Sequence, residues 1–286
     1  MSTEATARRL IRVGHSPDPD DAFMFYALAH KAIDTGELDF QDVLKDIETL
    51  NLWAFRGVLE VTAVSLHAYA FVHRKYALMA CGASLGHGYG PILVARPGTG
   101  LKAALQGPVA VPGRFTTAHL AAQLYAGKFP YIEVPFDEIV ATVARGEAPA
   151  GLVIHEGQLT YSDSGLLKLL DLGEWWAQET SGLPLPLGVD AIRRDLGPEL
   201  MQRVTGYLHR SIRYALEHRQ DALTYAMQFG RGLNRELSDR FVGMYVNEST
   251  LDFGESGRQG VEQLLRRAYD AGLIPDAIEV EFVYGP

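Results

Sequence analysis

A histidine at the end of a short apolar run is the strongest chemical signal in this chain: Gly151-Leu152-Val153-Ile154-His155-Glu156. Three aliphatic residues after a glycine, two of them β-branched, predict a buried strand of the kind found in parallel sheets. His155 would stand at its carboxyl edge, where α/β proteins bind their ligands. An imidazole there exchanges a proton near neutral pH and suits a general acid or base, although a structural histidine hydrogen-bonded at a strand end fits the same pattern.

Two helix starts supply the other candidates. Leu10 to Gly14 predicts a strand, and Asp18, Pro19, Asp20 and Asp21 then predict a helix from Pro19 to His30: Asp18 suits the N-cap, proline the first position, and the acids complement the helix dipole. Capping alone accounts for these acids. The functional reading places Ser16 at the tip of this turn, lining a ligand cleft. Asp18, Asp20, Asp21 and His15 could hold a divalent cation, but consecutive helix-start acids usually do not, and no metal is expected. In Pro112-Gly113-Arg114-Phe115-Thr116-Thr117 a strand from Pro108 to Val111 turns into a second helix. Thr116 and Thr117 fall where free backbone N–H groups and hydroxyls can hold a carboxylate, or where they merely cap. His119, one turn later, reads as a helix-surface residue. Arg114 is a candidate for a substrate carboxylate, though an arginine after such a turn is more often solvated.

The elements that position these residues repeat loosely. A helix from Ile47 stops at Arg56-Gly57 and the following strand, Val58 to Val64, ends on Ser65; another helix stops at Arg145-Gly146 and the next strand ends on His155. Two lobes built this way would set Ser65 and His155 on opposite sides of a cleft. Lys75 to Cys81 and Ile92 to Ala95 predict strands, separated by a Gly-rich loop that lacks the strand-to-helix setting of a nucleotide fingerprint. Arg96 to Gly100 and the stiff Gly182 to Gly188 have hinge character. Helices are expected over 199–217, 220–228, 238–246 and 257–271, with a last strand near Ile278 to Val283. The resulting division is 1–96 for the first part of lobe I, 97–188 for lobe II and 189–286 for the second part of lobe I.

Composition narrows the function classes. At 286 residues two lobes are the better expectation than one core, and a net charge of −9 offers no basic field for nucleic acid or anionic membrane. The single cysteine, Cys81, excludes an internal disulfide and reads as a small buried apolar residue. The first ten residues are polar and the strand that follows is far too short for a signal-peptide core or membrane span, so a cytoplasmic location is expected.

Together these features resemble the type II periplasmic-binding-protein fold, an α/β fold of two lobes around a ligand cleft, and within it the menaquinone-biosynthesis branch and the 1,4-dihydroxy-6-naphthoate synthases of the futalosine route. Ser16-Pro17 with Asp21 and Phe25 to Leu28, Glu48 to Asn51, Gly90-Pro91, Val111 to Arg114 with Thr116 to Ala118, Gly151-Leu152 with Ile154 to Glu156 and Thr160-Tyr161, and Gly182 to Gly188 carry the resemblance. It implies a lyase that opens cyclic dehypoxanthine futalosine to 1,4-dihydroxy-6-naphthoate and dihydroxyacetone without metal or organic cofactor. The histidine of the Ile-His-Glu motif, His155 here, would be the general base. Ala63, Val64, Ser65, Thr116 and Thr117 would bind the small carboxylate substrate, with Ser16 and Asn51 beside them. Two departures stand out. The family pattern at the first turn is Ser-Pro-Cys-Pro-Asn-Asp, against Ser16-Pro17-Asp18-Pro19-Asp20-Asp21 here, and many members carry a lysine where this chain has Ala63. Both make the cleft less cationic. Chorismate dehydratase, which shares the fold but does not use the Ile-His-Glu motif as its catalytic centre, and a non-catalytic small-anion binding or sensing protein are the alternatives.

Overall fold

The short apolar runs form strands and the segments between them mostly form helices, giving two mixed sheets in the computed structural model, which describes residues 8–286. Residues 1–7, part of the polar start from which a cytoplasmic location is expected, lie outside the described residues. In chain order the strands are β1 (Arg9–His15), β2 (Leu38–Leu44), β3 (Val61–Ser65), β4 (Tyr76–Met79), β5 (Ser84–Gly86) and β6 (Ile92–Ala95). They continue with β7 (Val109–Val111), β8 (Tyr131–Glu133), β9 (Ala150–Val153), β10 (Leu167–Asp171), β11 (Leu185–Arg193) and β12 (Phe282–Val283).

The first sheet runs β12-β4-β11-β3-β1-β2 with β5 added beside β11, and the second runs β10-β6-β9-β7-β8. Each sheet with its helices forms a lobe. The chain therefore crosses from the first to the second between Gly86 and Ile92 and returns between Asp171 and Leu185. Boundaries at 96 and 188 would put β6 in the first lobe and the start of β11 in the second; hydrogen bonding assigns both strands the other way. The sheets are not purely parallel either. β9 runs parallel to β7 but antiparallel to β6, and β11 runs antiparallel to β3, β4 and β5, because each strand that enters from the other lobe arrives against the βαβ direction.

Where the chain stays in one lobe, local signals hold. Gly57 and Gly146 end the helices Ile47–Arg56 and Ile139–Arg145 in left-handed backbone, φ 66° and 82°, so both stops of the loose repeat are glycine C-caps. The Ile139–Arg145 helix lies directly on β9: a side chain at Gly151 would approach Ile139 to 2.5 Å and Val143 to 2.7 Å. β3 is buried along its whole length, as is β9, and both pack into hydrophobic cores of aliphatic and aromatic residues. The helices Pro198–Glu217, Arg219–Ala226, Arg235–Tyr245 and Gly254–Asp270 form, while the last strand shortens to Phe282–Val283. The helix Leu66–Val72, directly after Ser65, was not expected. Among the described residues, no helix is long and apolar enough to cross a membrane.

Candidate active site

Between the lobes lies a cleft, open at its mouth, whose walls come from both sheets. The first lobe contributes the turn after β1, with Ser16, Asp18, Asp20 and Asp21, and the end of β3, with Ala63 and Ser65. The second contributes the start of the helix Thr117–Ala126 and His155. Strand alternation keeps Ala63 and Ser65 on the cleft wall and turns Val64 into the core, where it is wholly buried, so Val64 is not a cleft residue.

Asn51 does not line the cleft either; it builds Ser65. Its Oδ1 accepts the Ser65 backbone N–H at 2.9 Å and its Nδ2 donates to Ser65 Oγ at 3.1 Å and to Glu48 Oε2 at 3.1 Å. The threonine hydroxyls are committed as well. Thr116 Oγ1 caps the helix by accepting from His119 N at 3.3 Å and donates to Gly113 O at 2.8 Å, and Thr117 Oγ1 donates to Leu187 O at 2.7 Å. What remains for a ligand at this end is the backbone: the first N–H groups of a helix have no intrahelical acceptor. His119 is a buried residue rather than a surface one, wedged between Arg114 O and Gln123 and packed on Tyr131. Arg114 is exposed, with its guanidinium over the Phe115 ring and outside the cleft. Among the described residues, no lysine or arginine lines the cleft.

His155 is held more tightly than a strand-end residue needs to be. It follows β9 in left-handed backbone, φ 56°, a conformation that costs a residue with a side chain about 1–2 kcal/mol. Its Nδ1 lies 2.9 Å from Asp18 Oδ2, and the Phe136 ring meets it edge-on with centroids 4.6 Å apart. Its Nε2 is sealed from solvent and has no partner among the described residues. Asp18 is an N-cap in position only: its side chain makes no capping hydrogen bond and serves the histidine instead. Behind the pair, Arg231 donates from Nη1 to Glu156 Oε1 at 2.7 Å and from Nη2 to Pro17 O at 3.0 Å, joining the residue after His155 to the residue before Asp18.

The electrostatics follow from this burial. Desolvation opposes charge on both partners, but each outweighs it for the other: Asp18 raises His155 above the ordinary imidazole range, and His155 holds Asp18 below the usual carboxylate range. Asp20 and Asp21 lack a cation and are pushed well up by burial and by the neighbouring Asp18 charge. Asp18, Asp20 and Asp21 each offer an oxygen within 4.8 Å of the others, a spacing a cation could bridge, though Asp21 Oδ2 already accepts the Ser16 N–H at 2.6 Å. Cys81 is buried against Thr205 O, and burial raises its thiol.

Sequence reasoning missed the wall formed by the helix Arg235–Tyr245. Phe241 and Tyr245 reach the cleft, and Tyr245 donates its hydroxyl to Gln158 Oε1 across the lobes at 3.0 Å. Both belong to the apolar stripe expected of that helix, and nothing in the stripe separates cleft residues from core.

The whole chain has relatives. It is 45% identical over 264 residues, 92% of this chain and 95% of the relative, to a 1,4-dihydroxy-6-naphthoate synthase from Thermus thermophilus. A crystal structure of an Archaeoglobus fulgidus protein is 47% identical and superposes with a TM-score of 0.88, covering 93% of this chain and 98% of that one. The alkanesulfonate-binding protein from Xanthomonas axonopodis pv. citri, 11% identical with a TM-score of 0.70 over 96% of this chain and 98% of its own, shares the periplasmic-binding-protein fold. The family model described as menaquinone biosynthesis matches residues 11–270, and with the two-lobe fold and the cleft that encloses His155 this chain belongs to that family.

Proposed function

We propose that this protein is a lyase that opens cyclic dehypoxanthine futalosine to 1,4-dihydroxy-6-naphthoate and dihydroxyacetone in the cytoplasm, with His155 as general base and neither metal nor organic cofactor. One observation carries the reading: His155 Nε2 is buried and unpartnered in a cleft wall, at the Ile-His-Glu position that the resemblance assigns to the base. Fragmenting a sugar-derived ring beside a carbonyl requires a proton to be removed and an oxyanion to be stabilised. Nε2 takes the proton. Ser65, with Asn51 holding its backbone and oxygen in place, can donate its hydroxyl proton to a developing oxyanion. With no lysine or arginine on the wall among the described residues, the substrate carboxylate is held by the free N–H groups at the Thr117 helix start, a role for the backbone of Thr117 and Ala118 and not for the threonine hydroxyls.

The test is turnover of cyclic dehypoxanthine futalosine by the purified protein and by His155→Ala, with the naphthoate followed by absorbance and mass. Wild type should form product, and the variant should lose at least about 100-fold. A folded wild type that leaves the substrate untouched, but is stabilised by small carboxylates in a thermal-shift assay, would point to a binding protein instead.

A further inference from the structure

Two buried carboxyl oxygens in the cleft wall, Asp18 Oδ1 and Asp20 Oδ1, have no N–H or O–H partner among the described protein groups. A buried acceptor left in that state costs about 1–3 kcal/mol, more if it is charged. Each of the two side chains offers an oxygen within 4.8 Å of an oxygen of the other, and one proton shared between them would satisfy both. Asp18's second oxygen, Oδ2, is the one that faces His155 Nδ1 at 2.9 Å.

We propose that Asp18 and Asp20 form a carboxylate–carboxylic acid pair that positions His155: Asp20 donates its proton to Asp18, Asp18 accepts the Nδ1–H, and the free lone pair of the imidazole is thereby left on Nε2. The inference rests on His155 being the base. Asp18 and Asp20 are positioning residues, because they act through the imidazole and not on substrate. The chain Asp20–Asp18–His155 carries one negative charge when the imidazole is neutral and none when it is protonated, so a buried site with three carboxyls remains compatible with an anionic substrate. Burial and the adjacent Asp18 charge both favour the protonated form of Asp20.

Fixing the tautomer matters because the backbone does not. His155 sits in left-handed φ on a loop between β9 and the next helical turn, and without an acceptor at Nδ1 either ring nitrogen could carry the proton. The other charged or titratable groups around the three residues are His15 and Asp21 beside Asp18, Tyr245 beside Asp20, and Glu156 and Arg231 beside His155. Arg231 and Glu156 neutralise one another at 2.7 Å.

Long-range ¹H–¹⁵N spectra of the histidine-labelled full chain, with His155 assigned by its loss in His155→Gln, read the tautomer without any substrate. In wild type, neutral His155 should show a protonated Nδ1 and an unprotonated Nε2. Asp18→Asn, nearly isosteric, should shift the population toward the Nε2–H form and lower kcat by about 100-fold or more, with KM changed little. Asp20→Ala should lower kcat about ten-fold or more, and Asp20→Asn, whose amide can donate to Asp18 as the acid does, should recover most of that loss. Wild-type tautomer preserved in Asp18→Asn, or Asp20→Asn no better than Asp20→Ala, would overturn the proposal. So would His155 signals that shift on adding Mg²⁺ or Mn²⁺ to wild type but not to Asp20→Asn, since a cation would then occupy the proton's place. If wild type shows the expected tautomer but does not turn over cyclic dehypoxanthine futalosine, the pair stands and the assignment of the reaction fails.

Discussion

Ser65 and His155 end strands in opposite lobes and line one cleft, yet they are held in different ways. Ser65 closes β3 in ordinary extended backbone, φ −65° and ψ 142°, and its partner Asn51 lies fourteen residues earlier in the same lobe. His155 leaves β9 in left-handed backbone, and its partner Asp18 belongs to the other lobe. The first end is complete within one lobe. The second is assembled only when the lobes meet, so the geometry of the base is tied to closure and that of the hydroxyl is not.

The largest expected effect is on the side of the base. A valine at Gly151 places its Cβ 2.5 Å from Ile139 Cγ2 and 2.7 Å from Val143 Cγ2, so β9 must shift. Overpacking of this kind costs about 1–3 kcal/mol, and a displacement of His155 by about 1 Å should cost roughly 100-fold in kcat. Urea midpoints and turnover of Gly151→Val check both. Full activity at normal stability would mean that β9 does not set the position of the imidazole.

On the other side, Asn51→Ala strands the buried Ser65 N–H and removes the donor to its hydroxyl, at about 1–3 kcal/mol. Because the two bonds from Asn51 to Ser65 lie inside one lobe, the His155 ¹⁵N signals should remain those of wild type while activity falls. A shift in those signals would erase the contrast between the two strand ends.

Arg231→Ala should be milder. It removes the bond to Glu156 and the bond to Pro17 O, but Arg231 is 30% exposed and water can replace it, so about 1 kcal/mol is expected. The sharper readout is conformational: small-angle scattering should show a more open pair of lobes in the variant, and the histidine spectra should weaken the Asp18 contact. An unchanged scattering curve would leave closure to the other bridges, such as Tyr245 to Gln158 and the Phe115 N–H to Glu48 at 3.2 Å.

The same contrast marks how far the sequence could be read. Apolar runs and glycine stops located β1, β3, β6, β9 and the helix Ile47–Arg56, because periodicity and caps are local. The repeat of Arg-Gly followed by a polar strand end identified Ser65 and His155 for the same reason. The contact between Asp18 and His155 left no local trace: Asp-Pro-Asp-Asp satisfies every rule for a helix start, and the side chain abandons the cap only because a histidine from the other lobe offers a charge. Boundaries were displaced where β6 and β11 cross between sheets, since a strand's composition records its burial and not the sheet it joins. Tyr245 escaped because an amphipathic stripe does not say which of its members meets an opening.

The smallest effect, and one that depends on pH, separates two buried aspartates of the first lobe. Asp18 has His155 to stabilise its charge; Asp190, on β11 opposite Ala63, has an oxygen with no partner, and burial pushes its carboxyl well above the usual range. A carboxyl raised on folding stabilises the fold below its unfolded value near 3.8, and that contribution is lost as pH rises through the folded value. Asp190→Asn keeps the shape that fills the space beneath Gly82 and removes the proton equilibrium. The variant should therefore gain on wild type as pH rises from 4 to 8, with a slope of at most about 1.4 kcal/mol per pH unit for one proton. Asp18→Asn should differ in both sign and window, because the Asp18 carboxyl is lowered on folding: its stabilisation is present above about pH 4 and lost as pH falls further, so the variant gains on wild type only below about pH 4. Urea titrations at several pH values measure both. Parallel curves for Asp190→Asn and wild type would mean that Asp190 is compensated by a group other than its own proton, and the first lobe would then hold two paired carboxylates instead of one paired and one protonated.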